Sequence, residues 1–410
     1  MGLHAIDEAK RCLNCKKPRC REGCPIHTPI PQMIQMFLEG EMTDAAEMVF
    51  ENNPLSVICS LVCDHEKQCE GHCVKGIKGE PVHISSIENY ISDTCFDKMK
   101  LDKKPWNGCR IGVVGAGPAG ITIAILMATR GYKVTIFEVR EKIGGILRYG
   151  IPEFRLPKTI LDRYYEKMKK LGIKFRPNFA LGGSTGVHDL LEDGYDAVFI
   201  GTGTWRPFRL NIPGETLGNV HYGINYLNNP DVFDLGERVI VIGAGNAAMD
   251  VARTAIRKGS QYVTVYSVTE TPAASPKEVE YAKIDGVEFE YLQTAIEIRD
   301  EGAVICDVEW TEDGEMIKRE ETARFVPADS IIISISQGPQ DRLVNRDKEL
   351  KVDNRGLLKT DEKGETTMEG IFASGDVVTG AKTVVEAVKC SKMIADAMDE
   401  YVQKKRAKAI

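Results

Sequence analysis

Arg110-Ile111-Gly112-Val113-Val114-Gly115-Ala116-Gly117-Pro118-Ala119-Gly120 is a β-branched strand that runs straight into a glycine turn. The apolar stretch Ile121 to Thr129 behind it reads as a helix. In that setting the glycines have separable jobs. Gly115 permits the tight turn, Gly117 lets the backbone approach a pyrophosphate, and Gly120 allows close helix–strand packing. The phosphates are expected at the helix N-terminus, where unpaired amides and the helix dipole favour an anion. A second strand, Lys133 to Phe137, ends at Glu138, twenty-three residues after Gly115. An acid at that position reaches a ribose hydroxyl.

The same grammar recurs at Arg238-Val239-Ile240-Val241-Ile242-Gly243-Ala244-Gly245-Asn246-Ala247-Ala248-Met249-Asp250, with Ala248 in the third small position. Counting twenty-three residues on from Gly243 lands on Tyr266, followed by Ser267, Val268 and Thr269. Neither an acid for a 2′-hydroxyl nor an arginine for a 2′-phosphate stands there, and Glu270 is four residues on. The second turn therefore reads either as a nicotinamide site or as a fold retained without its nucleotide. Two dinucleotide folds in one chain suggest that one holds a flavin and the other a nicotinamide.

Eight of the twelve cysteines lie in the first 73 residues, as Cys12, Cys15, Cys20, Cys24 and Cys59, Cys63, Cys69, Cys73. Disulfides need an oxidising compartment, and no charged segment followed by an apolar one opens the sequence. Zinc sites use short paired spacings, whereas the intervals here are 2, 4, 3 and 3, 5, 3. Iron–sulfur cubanes accept such uneven spacing because each iron takes its thiolate from a different direction, and Pro25 follows the fourth cysteine as in ferredoxin runs. Cys95, Cys109, Cys306 and Cys390 read as small hydrophobes.

At 410 residues the chain exceeds one core's usual size. No apolar run approaches the roughly 18 residues of a spanning helix, so a cytoplasmic enzyme is expected. A net charge of −7 argues against nucleic acid as ligand, and the basic end Lys404 to Lys408 reads as a solvated terminus. Apolar residues recur at helical spacing over Ile30 to Phe37 and Ala45 to Phe50, and Pro105 to Gly108 forms a linker. The division expected is a helical domain over 1–104, a discontinuous flavin domain over 105–222 and 328–410, and a nicotinamide domain over 223–327.

The two cysteine runs, the stretch Gly144-Gly145-Ile146-Leu147-Arg148-Tyr149-Gly150-Ile151-Pro152-Glu153-Phe154-Arg155-Leu156-Pro157, the run Ala197 to Gly203 and the late Gly370 to Asp376 closely resemble the glutamate synthase small (beta) subunit family. That family includes the large subunit of NADH-dependent ferredoxin:NADP oxidoreductase and the N-terminal part of dihydropyrimidine dehydrogenase. The resemblance covers nearly the whole chain. It implies an α/β protein, with a helical two-cluster domain followed by two Rossmann-like domains of the flavin disulfide reductase type. It implies FAD on Gly115, Gly117, Pro118, Ala119, Gly120, Glu138, Gly145, Arg148, Gly201, Thr202, Gly203, Gly375, Asp376 and Thr383. NADH or NADPH would sit on Gly243, Gly245, Asn246, Ala247, Ala248 and Ser267.

Carried over by position, the family's ligation interleaves the runs. Cys12, Cys15, Cys20 and Cys73 would hold one 4Fe-4S cluster, and Cys24, Cys63, Cys69 and Glu88 the other, with Cys59 competing for the eighth place. Relatives that use NADPH carry paired arginines after the second fold's second strand, where this chain has Ser267-Val268. The implied function is transfer of electrons from NAD(P)H through FAD and the clusters to a partner subunit or a ferredoxin, with no catalytic acid, base or nucleophile. An electron-wire subunit that does not use nucleotide and a self-sufficient ferredoxin reductase are the competing readings.

Overall fold

The computed structural model describes residues 2–409. The chain divides into two compact units. The first takes the residues up to Leu147, then Glu153–Thr204 and everything from Pro339; the second takes Arg148–Pro152 and Trp205–Gly338.

The first unit opens with six helices, α1 (Gly2–Lys10), α2 (Arg19–Gly23), α3 (Ile30–Leu38), α4 (Met42–Asn52), α5 (Ser56–Val62) and α6 (Ile84–Cys95). Their apolar faces meet in a core containing Met33, Ile34, Val49, Phe50, Ile58, Ile87 and Ile91, all buried. Burial of each such side chain contributes roughly 1.5–3 kcal/mol. The cysteines lie mostly at helix ends and in the loops between them.

A five-stranded parallel sheet follows, built from β1 (Arg110–Val114), β2 (Lys133–Phe137), β3 (Lys174–Arg176), β4 (Ala197–Ile200) and a late strand, β15 (Ile371–Ala373), in the order β15-β4-β1-β2-β3. Ile111 is in register with Val134 on one side and Ala197 on the other. Helix α7 (Pro118–Thr129) is apolar on nearly all faces, as befits a helix covered on both sides. The remaining helices are α8 (Ile146–Tyr149), which crosses the boundary between units, then α9 (Lys158–Lys170), α10 (Val187–Glu192), α14 (Arg342–Arg346), α15 (Asp376–Thr379) and α16 (Val384–Ala409).

The helical domain and this sheet form one unit because side chains tie them together. Arg163 of α9 donates to Asp97 Oδ2 and to the Asp93 carbonyl of α6, each at 3.0 Å. The Phe96 and Tyr164 rings stand 4.5 Å apart.

The second unit repeats the pattern. Strands β6 (Val220–Tyr222), β7 (Arg238–Ile242), β8 (Tyr262–Ser267), β9 (Glu288–Tyr291) and β13 (Ser330–Ile333) form a parallel sheet in the order β6-β13-β7-β8-β9. Helices α11 (Gly223–Asn228), α12 (Asn246–Arg257) and α13 (Pro276–Ile284) accompany it. A three-stranded antiparallel sheet, β10 (Gln293–Arg299), β11 (Gly302–Trp310) and β12 (Met316–Pro327), packs on the other face through Ala295, Ile298 and Ile305. A ribbon of β5 (Arg206–Pro207) and β14 (Gln337–Gly338) completes the unit.

This unit is wider than residues 223–327. Its sheet recruits β6 before that span and β13 after it, because β13 pairs with both β6 and β7. Among the described residues no helix is long and apolar enough to cross a membrane.

Candidate cofactor sites

In a parallel sheet the crevice for a ligand opens where the strand order reverses. In the first unit that point lies between β1 and β4, and the glycine turn ends there. Gly115, at φ +99°, leaves no room for a Cβ, which would stand 2.6 Å from the Gly201 carbonyl oxygen. A Cβ on Gly120 would strike the Gly115 carbonyl at 1.9 Å, and one on Gly145 would meet Gly117 Cα at 2.7 Å. Three separate segments thus approach backbone to backbone, with Gly117 capping α7 and Pro118 at its first position. The cradle leaves the α7 amides available for a pyrophosphate.

Glu138 is buried at the end of β2; its Oε2 accepts from the Ala116 amide at 2.6 Å and its Oε1 from Arg140 N at 2.9 Å. Burial raises its pKa, while those two amides act the other way. A carboxylate has about four acceptor positions, so room for a ribose hydroxyl remains. Gly375, at φ +76°, precedes Asp376, whose Oδ1 accepts from Lys382 N at 3.1 Å. Burial pushes Asp376 up to about 6.

Thr383 caps α16: its hydroxyl donates to Glu386 Oε2 at 2.7 Å, and its amide donates to the same oxygen at 3.0 Å. Thr202 and Gly203 continue the β4 turn, Gly203 at φ +70°. Ala119 lies under Gly375, and Arg148 falls in the stretch assigned to the second unit. Thr204, which no sequence motif marks, is 4% exposed with a hydroxyl lacking any partner among the described residues. A buried orphan hydroxyl beside the Gly201–Gly203 turn fits a bound ligand that supplies the missing hydrogen bond.

In the second unit a Cβ on Gly243 would stand 2.3 Å from the Ser334 carbonyl oxygen, again at the reversal point, here between β7 and β13. The space beside Gly245 is open, and Asn246 and Ala247 are exposed at the start of α12, over buried Ala248. Asn246 Oδ1 accepts from Ser275 N at 2.9 Å, which ties the start of α13 to the turn.

The segment after β8 is closed on itself. The Ser267 hydroxyl donates to Thr269 O at 3.0 Å, and the Thr269 hydroxyl to Thr271 O at 2.7 Å. Trp310 Nε1 donates to Val268 O at 2.6 Å. Both hydroxyl protons are committed to carbonyls. Thr269 and Trp310 carry no motif that would have singled them out in sequence.

The helical domain holds two groups of thiols. Cys12, Cys15, Cys20 and Cys73 line one small pocket, walled by Ile30, Ile34, Val82 and Ile84. Burial pushes the Cys20 thiol up to about 11 and raises Cys12, with repulsion among the four thiols adding to both. The second group gathers Cys59, Cys63, Cys69, Cys24 and Glu88. Cys63 is raised far above the usual thiol range by its hydrogen bond with Cys59, then by burial and by repulsion from Glu88 and Cys69. Burial raises Cys69 similarly, with Glu88, Glu70 and Cys24 contributing.

Glu88 is 7% exposed, and burial pushes its pKa up to about 8. No hydrogen bond or ion pair compensates it among the described residues. Among these residues no three His, Cys, Asp or Glu side chains close on a point that could hold a single metal ion. A cubane asks for something different, thiolates set around a volume and each on its own iron. Thiols whose surroundings resist ionisation need a cationic group to become thiolates, and a cluster's irons supply that charge. The two groups fit such a ligand, and each draws from both cysteine runs.

The family model for pyridine nucleotide-disulphide oxidoreductases matches residues 109–391, and that for dihydropyrimidine dehydrogenase domain II, 4Fe-4S cluster, matches residues 2–100. The chain is 34% identical to the glutamate synthase (NADPH) small chain of Halomonas elongata, over 97% of this chain and 91% of that one. It is 31% identical to the NADP-dependent formate dehydrogenase subunit beta of Moorella thermoacetica, over 94% of this chain and 60% of that one. Among solved structures, FprA of Mycobacterium tuberculosis in complex with NADPH superposes with a TM-score of 0.63 at 18% identity, covering 75% of this chain and 86% of that one. At that identity the likeness concerns the fold alone.

Proposed function

The chain belongs to the glutamate synthase small-chain family, with a pyridine nucleotide-disulphide oxidoreductase module over residues 109–391, and on that premise we propose that it is the electron-input subunit of a larger redox complex. It takes reducing equivalents from a nicotinamide nucleotide and delivers them singly to a partner chain. When bound, FAD supplies the step between two-electron and one-electron chemistry, and two 4Fe-4S clusters supply the path outward.

The chain's own residues bind and orient. The α7 amides, the Gly115–Gly201 approach and Glu138 hold the dinucleotide of FAD, while Asp376 and the capped start of α16 hold its other end. The positive end of α16 favours negative charge on whatever it faces. Cys12, Cys15, Cys20 and Cys73 hold one cluster, and Cys24, Cys63, Cys69 and Glu88 the other. Cys59, the buried thiol beside Cys63, remains outside the ligand set. No side chain need act as acid, base or nucleophile.

In the second unit Gly243, Gly245 and the exposed start of α12 receive the nicotinamide nucleotide. The relatives carry NADPH or NADP in their names. In this chain NADH is the better fit, because a phosphate dianion wants charged donors, and Ser267 and Thr269 have spent their protons on carbonyls.

Two groups of part-buried thiols share a compact unit with a glycine cradle at the sheet's reversal point, and that juxtaposition supports this reading best. Purification of the chain from its native cells under anaerobic conditions should retain a second redox chain. The isolated chain should still bleach its flavin with reduced nicotinamide. A chain that bleaches with neither NADH nor NADPH is an electron-wire subunit instead. One that purifies alone and passes electrons to free ferredoxin is a self-sufficient reductase.

A further inference from the structure

Thr28 lies four residues after Cys24, and its Oγ1 stands 3.3 Å from Cys24 Sγ. It is 2% exposed. Asn52, at the end of α4, donates from Nδ2 to Thr28 Oγ1 at 3.4 Å and to Ile26 O at 3.3 Å. Lys392, on α16 and 340 residues from Asn52 in sequence, donates to Asn52 Oδ1 at 2.9 Å and to Asn52 O at 2.6 Å.

Chemistry fixes the direction of this series. An ammonium has donors and no acceptor, so Asn52 Oδ1 accepts. The amide nitrogen of Asn52 must then donate, so Thr28 Oγ1 accepts. Thr28 has one proton, and Cys24 Sγ, which as a cluster ligand carries none, is the acceptor within reach. Every hydrogen in the series points toward that sulfur.

We propose that Lys392, Asn52 and Thr28 form a donor chain that places positive potential on the Cys24 sulfur and thereby raises the reduction potential of the iron–sulfur cluster held there. The proposal rests on the reading of Cys24 as a cluster ligand. Reduction adds negative charge that the ligating sulfurs share, so a hydrogen bond to one of them stabilises the reduced form. In a poorly polarisable interior, successive hydrogen bonds strengthen one another. The series also has a place in the electron path, since it starts on α16, the helix whose cap at Thr383 belongs to the flavin cradle. The plainer role for Lys392, fastening α16 to α4, would change stability and leave the potential alone.

The test is a potentiometric titration of the anaerobic holoprotein, with each cluster followed by its paramagnetic resonance signal. Thr28→Val and Lys392→Met should each move one cluster's midpoint to a more negative value and leave the other unmoved, while Thr28→Ser should restore the wild-type value. Should Thr28→Val lose iron, Lys392→Met decides alone. Lys392→Met with full iron and an unshifted midpoint would overturn the proposal. A Cys24→Ser protein that keeps both clusters with unchanged signals would instead remove the ligand reading on which it stands.

Discussion

Glu138 Oε2 accepts a hydrogen bond from the Ala116 amide at 2.6 Å, inside the glycine turn itself. The acid expected to reach a ribose therefore also holds the turn in shape. Removing it costs a charge-assisted hydrogen bond in addition to a ligand contact, together roughly 1.5–3 kcal/mol. Glu138→Ala should weaken FAD retention about 10- to 100-fold, measured by flavin release on dialysis, with Glu138→Gln intermediate. Unchanged retention in Glu138→Ala would take Glu138 out of the site.

Asp376 makes the stability of the FAD-free chain depend on pH. Burial lifts its pKa from 3.8 to about 6 in the folded chain. The folded state then binds more protons than the unfolded state across that window, so this group's contribution to stability falls as pH rises from about 4 to 6 and stays low above it. Asp376→Asn should stabilise the FAD-free protein at pH 7.5 on the order of 1–3 kcal/mol and much less at pH 4.5. Thermal unfolding of the stripped protein at the two pH values checks this, and an equal difference at both would contradict it. The same variant should bind FAD less tightly, because an amide is a poorer acceptor for the cofactor's hydroxyls.

Glu88 and Cys59 compete for the last position around the second thiol group. Glu88→Ala should alter the signal of one cluster and spare the other, whereas Cys59→Ala should leave both signals in place. The reverse pattern would make Cys59 the ligand.

The closed segment after β8 leads to a cofactor preference. The chain should use NADH at least 10-fold more efficiently than NADPH by kcat/KM in anaerobic reduction of a dye, a difference of about 1.4 kcal/mol. Ser267→Arg should narrow that ratio by improving NADPH, since a guanidinium offers a 2′-phosphate a charged, two-pronged donor. A native preference for NADPH would show that its phosphate is bound by residues outside the Ser267–Pro272 segment.

The parts of the molecule legible in sequence are those whose physics is local. A β-branched run ending in Gly115 or Gly243 specifies strand, turn and helix within thirteen residues or so, because the steric demand at each glycine arises from its immediate neighbours. The helical spacing of Ile30 to Phe37 became α3 for the same reason. Long-range partnerships were not legible. Spacing alone cannot say that Cys73 shares a pocket with Cys12, because α5 and α6 must first fold back across the domain. Nothing near Asn52 announces Lys392. The β10–β12 sheet has little signature in the sequence, because β12 is exposed along almost its whole length and lacks an apolar alternation. That the Ser267 and Thr269 hydroxyls are taken by the loop's own carbonyls is a matter of loop conformation, which residue spacing does not encode.

Nicotinamide-derived electrons are proposed to reach two clusters by way of the flavin. The most direct test is an anaerobic titration of the purified chain with NADH, read by flavin absorbance and by integrated cluster resonance, on holoprotein and on protein stripped of FAD. Expected are roughly eight irons and eight sulfides per chain, flavin bleaching, and two cluster signals that appear with NADH only when FAD is present. Protein carrying zinc in place of iron, or clusters that NADH reduces equally well without FAD, would contradict it.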